Sequence, residues 1–347
     1  MTEQQRLAQA LDALCTWYRK SHRDLPWRRT TDPYPIWISE IMLQQTRVQA
    51  VIPYFERFIR AVPTVQALAE IPDEQLLKLW EGLGYYTRAR SLQKAARMVC
   101  DQYDGSMPCT REELITLPGI GPYTAGAVAS IAGGQCCPAV DGNVLRVLSR
   151  IFVREWDIKA QAVKRQAEQE LQDVLPEDCA GDCNQALMEL GATVCLPNGM
   201  PLCDVCPIAS LCLAREQDKQ QELPVKAPKK VRPVENRIVC LLWNNGRIAL
   251  HKRPSKGLLA NLWEFPNFLQ GEELQEQLGV TVTEMHPLRH AKHVFTHLEW
   301  HMAGVEAHTT EGGTFTWVSP QELEQAIALP SAFRVYRAIA LKKTRAE

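Results

Sequence analysis

The stretch Leu117–Val128, LPGIGPYTAGAV, places two glycines and two prolines ahead of a run of small residues. Gly119 and Gly121 can adopt positive φ angles and allow another backbone or a ligand to approach closely. Pro122 suits the first turn of a helix, and the N–H groups exposed at such a helix start suit a phosphate. The glycines alone fit a plain helix–helix turn equally well. No Gly-Lys-Ser/Thr follows, which excludes a nucleotide P-loop.

The overall composition is that of a globular protein. The chain has 347 residues, of which 46% are hydrophobic and 23% charged, and its net charge is −1. This length predicts two or three domains. No apolar run is long enough for a bilayer and the N-terminus lacks a secretory pattern, so we expect a cytoplasmic protein, nucleoid-associated in a bacterium, with no membrane partner. Any nucleic-acid binding must come from local cations and backbone donors.

The pattern of apolar residues divides the chain into three parts. Residues 1–217 predict an all-α region, because amphipathic stretches of helical period recur between breakers. Residues 218–233 are polar, Lys-rich and Pro-containing, which is typical of a linker. Residues 234–347 predict an α+β domain, because RIVCLLW and RIALHKR flank an Asn-Gly turn and further strand-like and helical segments follow.

Two carboxylates are candidates for acid–base chemistry. Glu40 has mostly apolar neighbours three and four residues away on its predicted helix, and desolvation there would raise its pKa and let it hold a proton. Asp141 precedes the helix GNVLRVLSRIF, where backbone N–H groups would keep a capping Asp ionised. One protonated and one ionised carboxyl group suit glycoside-type cleavage. A solvated surface Glu and a purely structural cap remain the alternatives.

A cluster of cysteines predicts a metal centre. The spacing C-x7-C-x2-C-x5-C is formed by Cys195, Cys203, Cys206 and Cys212. Four thiols this close indicate metal ligation, although spacing alone does not separate zinc from a [4Fe–4S] cluster. Four further cysteines are interpreted as bystanders: Cys136, Cys137, Cys179 and Cys183. Cys183 could replace one of the four ligands if the loop register differs.

These motifs together resemble the helix-hairpin-helix base-excision DNA glycosylase superfamily, and nearly the whole chain resembles its MutY family of adenine DNA glycosylases. The resemblance implies a multidomain fold with an all-α glycosylase core and a Nudix-like α+β lesion-recognition domain. It implies a six-helix barrel over roughly 25–133 and a cluster-bearing helical domain from 1–24 and 134–217. The matching motifs are LPWR, WISEIMLQQTRV, EGLGYYTRAR, LPGIGPYTA, VDGNVLRVLSR, NQALMELGATVC, GLLANLWEFP and FTHLEW.

The resemblance implies a monofunctional enzyme of base excision repair that removes adenine mispaired with 8-oxoguanine or guanine. By this resemblance the adenine would be flipped out of the duplex. Glu40 would protonate its N7, and Asp141 would stabilise an oxocarbenium-like sugar, supported by Asn143 and Tyr123. Bifunctional relatives carry a lysine at the Tyr123 position, and a phenol cannot form a Schiff base.

The same resemblance assigns the remaining sites and partners. The implied cofactor is a [4Fe–4S] cluster on the four spaced cysteines, although the family's first gap is six residues and here it is seven. The implied partner is double-stranded DNA containing 8-oxoguanine opposite adenine, and we expect a monomer. The implied adenine pocket comprises Arg23, Leu43 and Gln185. The implied DNA contacts are Gln45, Tyr85, Gly119 and Gly121, and the lesion-reading residues are Phe295, Thr296, which replaces the family's common Ser, and His297.

Three other functions fit the sequence less well. A bifunctional pyrimidine glycosylase with lyase activity is disfavoured by Tyr123 and by the long C-terminal domain. A Nudix-type nucleotide hydrolase is disfavoured because GEELQEQLG lacks the R-E-x-x-E-E metal-binding helix. A non-catalytic DNA-binding iron–sulfur protein is disfavoured by the combination of Glu40 and Asp141.

Overall fold

The computed structural model describes residues 1–225 and 231–343. Residues 226–230 of the predicted linker and 344–347 of the predicted C-terminal domain lie outside the described residues. The chain forms two compact units, Met1–Glu70 with Arg90–Pro228, and Ile71–Ala89 with Lys229–Glu347. The sequence did not indicate that Ile71–Ala89 groups with the C-terminal half. The predicted domain boundaries themselves stay predictions.

The N-terminal half of the chain is helical, as the amphipathic pattern predicted. Short 3-10 turns occur at Pro26–Arg28, Cys203–Val205 and Ala209–Leu211. Within the two described ranges, no helix combines the length and apolar character needed to cross a bilayer. The helices are α1 (Glu3–Ser21), α2 (Pro33–Leu43), α3 (Val48–Ala61), α4 (Val65–Glu70), α5 (Asp73–Trp80), α6 (Thr87–Gln102), α7 (Arg111–Leu114), α8 (Pro122–Ile131), α9 (Gly142–Ile151), α10 (Gln161–Gln172), α11 (Ala180–Thr193) and α12 (Leu213–Glu216).

Local sequence signals explain where several helices begin. Thr2 and Gln5 form a capping box at the start of α1. Asp32 caps α2 through the Tyr34 N–H, and Pro33 occupies the first helical position. Helices α1, α9, α10 and α11 then pack around one apolar core, to which they contribute Leu11, Leu148, Leu171 and Leu187, among others.

The stretch PIWISEIMLQQTRVQAVIPYFERFI is interrupted rather than continuous. Helix α2 ends at Leu43 and α3 begins at Val48. Between them Gln45 has a φ of 59°, in the left-handed region that a helix cannot continue through. The interruption leaves Gln45 exposed while Glu40, one turn earlier, is buried.

The C-terminal half contains a seven-stranded sheet with main order β3-β2-β1-β6-β5, in which β4 also pairs with β1 and β7 with β2. The predicted hairpin is present: β1 and β2 are antiparallel and joined by Asn245 and Gly246, both at positive φ. Its strands are β1 (Val234–Asn244), β2 (Arg247–Lys252), β3 (Trp263–Glu264), β4 (Asn267–Leu269), β5 (Glu284–Val294), β6 (Glu299–His308) and β7 (Thr316–Val318), and its helices are α13 (Leu274–Leu278), α14 (Pro320–Gln325) and α15 (Arg334–Lys343).

Each face of the sheet packs against an apolar core. Alternate residues of β1 point to opposite faces. Val239 and Leu241 join a core with Leu323 of α14 and Tyr336 of α15. Leu242 joins a smaller core on the other face, together with residues of α13.

Hydrogen bonds explain why Ile71–Ala89 belongs to this second unit. The Glu81 carboxylate accepts from the Leu329 N–H at 2.9 Å and from the Arg337 guanidinium at 2.8 Å. Lys78 donates to the Ile327 carbonyl at 2.8 Å. Because these partners are far apart in sequence, the amphipathic pattern of α5 could not reveal them.

Candidate active site

Glu40 lies buried on α2, with only 6% of its surface exposed. The Tyr123 hydroxyl, on the first turn of α8, donates a 2.6 Å hydrogen bond to Glu40 Oε2. Met188 Sδ lies 3.1 Å from the same phenol oxygen. Burial raises the pKa of Glu40, the Tyr123 hydrogen bond lowers it and the Asp141 charge raises it, with a net value of about 7. A carboxyl group in this state can hold and release a proton at neutral pH.

Asp141 caps α9 and is held by several donors. Its Oδ1 accepts from the Val144 N–H at 2.8 Å, and its Oδ2 accepts from Asn143 Nδ2 at 2.6 Å. Burial raises the pKa of Asp141 and outweighs these hydrogen bonds, which lower it. The direction of this shift is opposite to the sequence-based prediction, which rested on the capping N–H groups alone.

The orientation of the Asn143 amide is fixed by Arg146. Arg146 Nη2 donates to Asn143 Oδ1 at 2.9 Å, which leaves the amide NH2 to donate to Asp141. Arg146 also donates to the carbonyls of Cys195 and Gly191. A Cβ added at Gly191 would lie 2.5 Å from Asn143 Cβ, so only a glycine on α11 permits this close helix crossing.

An ion cluster on α11 includes Arg23, one of the residues implied for the adenine pocket. Glu189 is 1% exposed and accepts from Arg23 Nε at 2.7 Å and from Arg28 Nη2 at 2.8 Å. Burial raises the pKa of Glu189, but the hydrogen bonds from both arginines outweigh it and lower the pKa to about 2. Gln185, one turn earlier, accepts from the Tyr18 hydroxyl at 2.9 Å. Arg23 is thus already bound to a carboxylate.

The glycine corner uses a positive φ at Gly119 but not at Gly121, whose φ of −97° any residue can adopt. Gly119 has a φ of 81°, and a Cβ there would lie 2.6 Å from Ser91 Cβ. Gly121 caps α8 with Pro122 at its first position, and open space surrounds the place where a Gly121 side chain would be. The helix start is therefore sterically accessible to a ligand.

The four spaced cysteines come together. Cys195, Cys203, Cys206 and Cys212 all line one pocket, which Arg150 and Arg215 also line. Arg150 Nη1 lies 3.1 Å from Cys195 Sγ. Burial raises the pKa of Cys206 to about 12, and the neighbouring thiols contribute to this shift. Four thiols around one pocket beside two guanidinium groups fit an anionic metal–thiolate centre.

The second unit exposes one predicted DNA contact, Tyr85, and two predicted lesion-reading residues, Thr296 and His297. Tyr85 is 47% exposed and has a φ of 48°. Its hydroxyl lies 2.8 Å from Thr296 Oγ1, either of which can donate. His297 is exposed, whereas Phe295 is half-buried and packs edge-on against Trp300. The structure therefore brings Tyr85 and Thr296 together and records no such contact for His297.

Residues 38–175 match the family described as HhH-GPD superfamily base excision DNA repair protein, and residues 238–338 match the NUDIX domain. The chain is 36% identical to the adenine DNA glycosylase of Homo sapiens over 94% of this chain and 73% of that protein. It is 34% identical to the adenine DNA glycosylase of Buchnera aphidicola over 82% of each.

The chain belongs to the adenine DNA glycosylase family. The predictions of the MutY family, of a DNA glycosylase and of the fold class are confirmed.

Solved structures support the same glycosylase core. A thermostable thymine-DNA glycosylase matches with a TM-score of 0.55 and 29% identity, covering 61% of this chain and 98% of its own. A trapped endonuclease III–DNA covalent intermediate matches with a TM-score of 0.54 and 27% identity, covering 63% and 99%.

Sequence reasoning missed several side chains of this adenine DNA glycosylase family member. Glu189 and Met188 lie in NQALMELGATVC and Arg28 lies in LPWR, two motifs that carried the resemblance. Gln185, Met188 and Glu189 are three and four residues apart, which places them on one face of α11. That spacing was the signal available in the sequence. The half-buried Leu43 ends α2 next to the exposed Gln45, and its pocket role stays a prediction.

Proposed function

We propose that this chain is a monofunctional glycosylase that removes adenine paired with 8-oxoguanine or guanine in double-stranded DNA, acting as a monomer. The observation that carries the proposal is the buried Glu40, whose pKa is about 7, hydrogen-bonded to Tyr123 and close enough to Asp141 to feel its charge. One neutral and one ionised carboxyl group provide an acid for the leaving base and an anion for the sugar cation.

The two carboxyl groups differ in their hydrogen bonds. The Asn143 side chain and backbone N–H groups donate to Asp141 and lower its pKa against the larger effect of burial, whereas one phenol hydrogen bond lowers the Glu40 pKa. In this proposal Asp141 is the anion and Glu40 the acid. Tyr123 donates to Oε2 of Glu40, so in neutral Glu40 the proton resides on Oε1 and is available to adenine N7.

Gln45 and Tyr85 act on the duplex. Both side chains are exposed and both backbones are held at positive φ, a conformation that is costly for non-glycine residues and is concentrated at functional sites. They enter the base stack and offset part of the few kcal/mol that flipping costs. Gly119 and Gly121 open the start of α8 to a backbone phosphate.

The central experiment separates this function from that of a bifunctional enzyme. A duplex with adenine opposite 8-oxoguanine, labelled at one end, is incubated with the protein and divided into samples with and without alkali. We expect strand scission only after alkali, because Tyr123 cannot form a Schiff base. Scission without alkali, trapped as a covalent adduct by borohydride, would overturn the monofunctional assignment.

The acid role of Glu40 predicts a pH dependence. Because neutral Glu40 disappears as pH rises through its pKa of about 7, single-turnover excision should fall above that pH. Tyr123→Phe removes the hydrogen bond that lowers this pKa, so the alkaline limb should move up by about one unit. Tyr54→Phe, a half-buried tyrosine on α3, is the control. If the alkaline limb of the pH–rate profile of Tyr123→Phe coincides with that of wild type, Glu40 is not the acid.

Thr296 and His297 read the oxidised base in this proposal. Replacing both with Ala should narrow the rate ratio between adenine opposite 8-oxoguanine and adenine opposite guanine by about tenfold, because polar contacts to the lesion are lost. His286→Ala, on an exposed position of β5, should leave the ratio unchanged. If the double variant keeps the full ratio, lesion reading lies elsewhere.

A [4Fe–4S] cluster on Cys195, Cys203, Cys206 and Cys212 completes the proposal. When bound, it cross-links the segment between these cysteines through four thiolate bonds. Protein purified without oxygen should contain about four iron atoms per chain and the visible absorbance of such a centre. Cys206→Ser should lose most of the iron and Cys109→Ser, a half-buried thiol elsewhere, should keep it. Stoichiometric zinc without iron contradicts the assignment.

A further inference from the structure

A second group of cysteines lies apart from the four that line the cluster pocket. Cys15 on α1 and Cys179 and Cys183 at the start of α11 have sulfur atoms within 4.8 Å of one another. Cys15 and Cys183 are buried and joined by a disulfide, with their Cα atoms 5.2 Å apart. Cys179 Sγ is half-buried and lies 4.0 Å from Cys183 Sγ.

Cys179 is not part of the disulfide. Its thiol is a third sulfur next to the two sulfur atoms that the Cys15–Cys183 disulfide joins. Sulfur atoms bound to one tetrahedral zinc, with Zn–S bonds of about 2.3 Å, lie roughly 3.8 Å apart. The separation of Cys179 and Cys183 already matches this spacing. Three sulfur donors from two packed helices therefore suit a thiophilic divalent cation.

The surroundings of Cys179 suit a charged centre. Cys179 is the N-cap residue of α11, at the positive end of the helix dipole, but burial and the Asp178 carboxylate raise the pKa of its thiol, so a bound cation must displace the thiol proton. The Arg19 guanidinium interacts with Cys179 and is hydrogen-bonded to Asp182 at 2.7 Å. The Asp178 carboxylate also lies beside Cys179. A carboxylate or a water can complete the four ligands that zinc prefers.

We propose that Cys15, Cys179 and Cys183 form a second metal site that binds one zinc-type cation when the disulfide is reduced. A phosphine reductant takes the oxygen of one water to become a phosphine oxide, and the disulfide gains two hydrogens to become two thiols. The cation then forms three metal–sulfur bonds and displaces three thiol protons to solvent. Disulfide and metal are thus alternative links between α1 and α11, the helices that carry Tyr18 and Gln185.

The test measures metal in the full chain with its iron centre in place. Wild-type protein is reduced with phosphine without oxygen, incubated with zinc and desalted, and zinc and iron are counted per chain. We expect wild type to hold one more zinc than Cys179→Ser, with equal iron in both. Cys100→Ser, a half-buried thiol on α6, should keep the additional zinc. Equal zinc in wild type and Cys179→Ser overturns the proposal.

A second measurement needs no substitution. Alkylation of the reduced, folded wild type by iodoacetamide, mapped by mass spectrometry, should be slowed by zinc at the half-buried Cys179 but not at the half-buried Cys100. Cobalt in place of zinc should add the absorption bands of tetrahedral thiolate-bound cobalt. Equal alkylation with zinc and with chelator, or a disulfide that stays closed under phosphine, also refutes the site.

Discussion

Glu40→Gln should slow single-turnover adenine excision by about 10²–10⁴-fold, the contribution expected of a general acid. The substitution keeps the shape of the side chain and its ability to accept from Tyr123, but it removes the proton that the leaving base needs. Binding to a duplex that carries 8-oxoguanine should change little, because Glu40 is buried and acts on the flipped base. The measurements are rapid-quench excision rates and affinity for the same duplex.

A matched control and a stability measurement show whether a loss of activity in Glu40→Gln comes from the lost acid or from a loss of folding. Glu56→Gln, an exposed glutamate on α3, should excise at the wild-type rate. Because the pKa of Glu40 is raised to about 7 in the folded protein, its stabilising effect is present at low pH and is lost as pH rises through that value. Glu40→Gln should therefore unfold no more easily than wild type at pH 8. If folded Glu40→Gln excises adenine at the wild-type rate, Glu40 is not the general acid.

Asp141→Asn should reduce excision by about 10²–10³-fold, the range found when one electrostatic contact to a developing charge is removed. Asparagine caps a helix about as well as aspartate, so α9 should remain capped through the Val144 N–H. What is lost is the negative charge beside the sugar cation. Single-turnover rates together with thermal unfolding separate the two roles.

The comparison variant for Asp141 is another capping aspartate. Asp32→Asn, at the start of α2, changes the same functional group at an exposed helix cap. It should leave excision unchanged. If both variants lose activity in proportion to a loss of melting temperature, the effect of Asp141 is structural and the proposed role is wrong.

The sequence predicted the features that depend on local spacing. The apolar neighbours of Glu40 indicated its burial, the residues after Asp141 indicated a helix cap, and the Asn-Gly pair at 245–246 indicated the hairpin. Each of these signals consists of residues that lie close together in the sequence. The roles of these and the other site residues stay predictions.

Features that depend on distant partners were not predicted. Glu189 meets Arg23 across 166 residues, and Cys15 meets Cys183 across 168. A single sequence carries no spacing rule over such distances, so Cys183 was interpreted as a bystander and Glu189 was overlooked. The pKa of Asp141 was misjudged for a related reason, because its burial is created by elements packed around it rather than by its neighbours in sequence.

The crossing of α9 and α11 at Gly191 has a genetic consequence. Gly191 carries no reactive group, yet even a methyl group there collides with the residue that orients the Asp141 carboxylate. A random-mutagenesis screen for elevated mutation rates should therefore recover substitutions at this codon nearly as readily as at the codons for the proposed acid and anion. If substitutions at Gly191 leave the mutation rate at the wild-type level, this expectation is wrong.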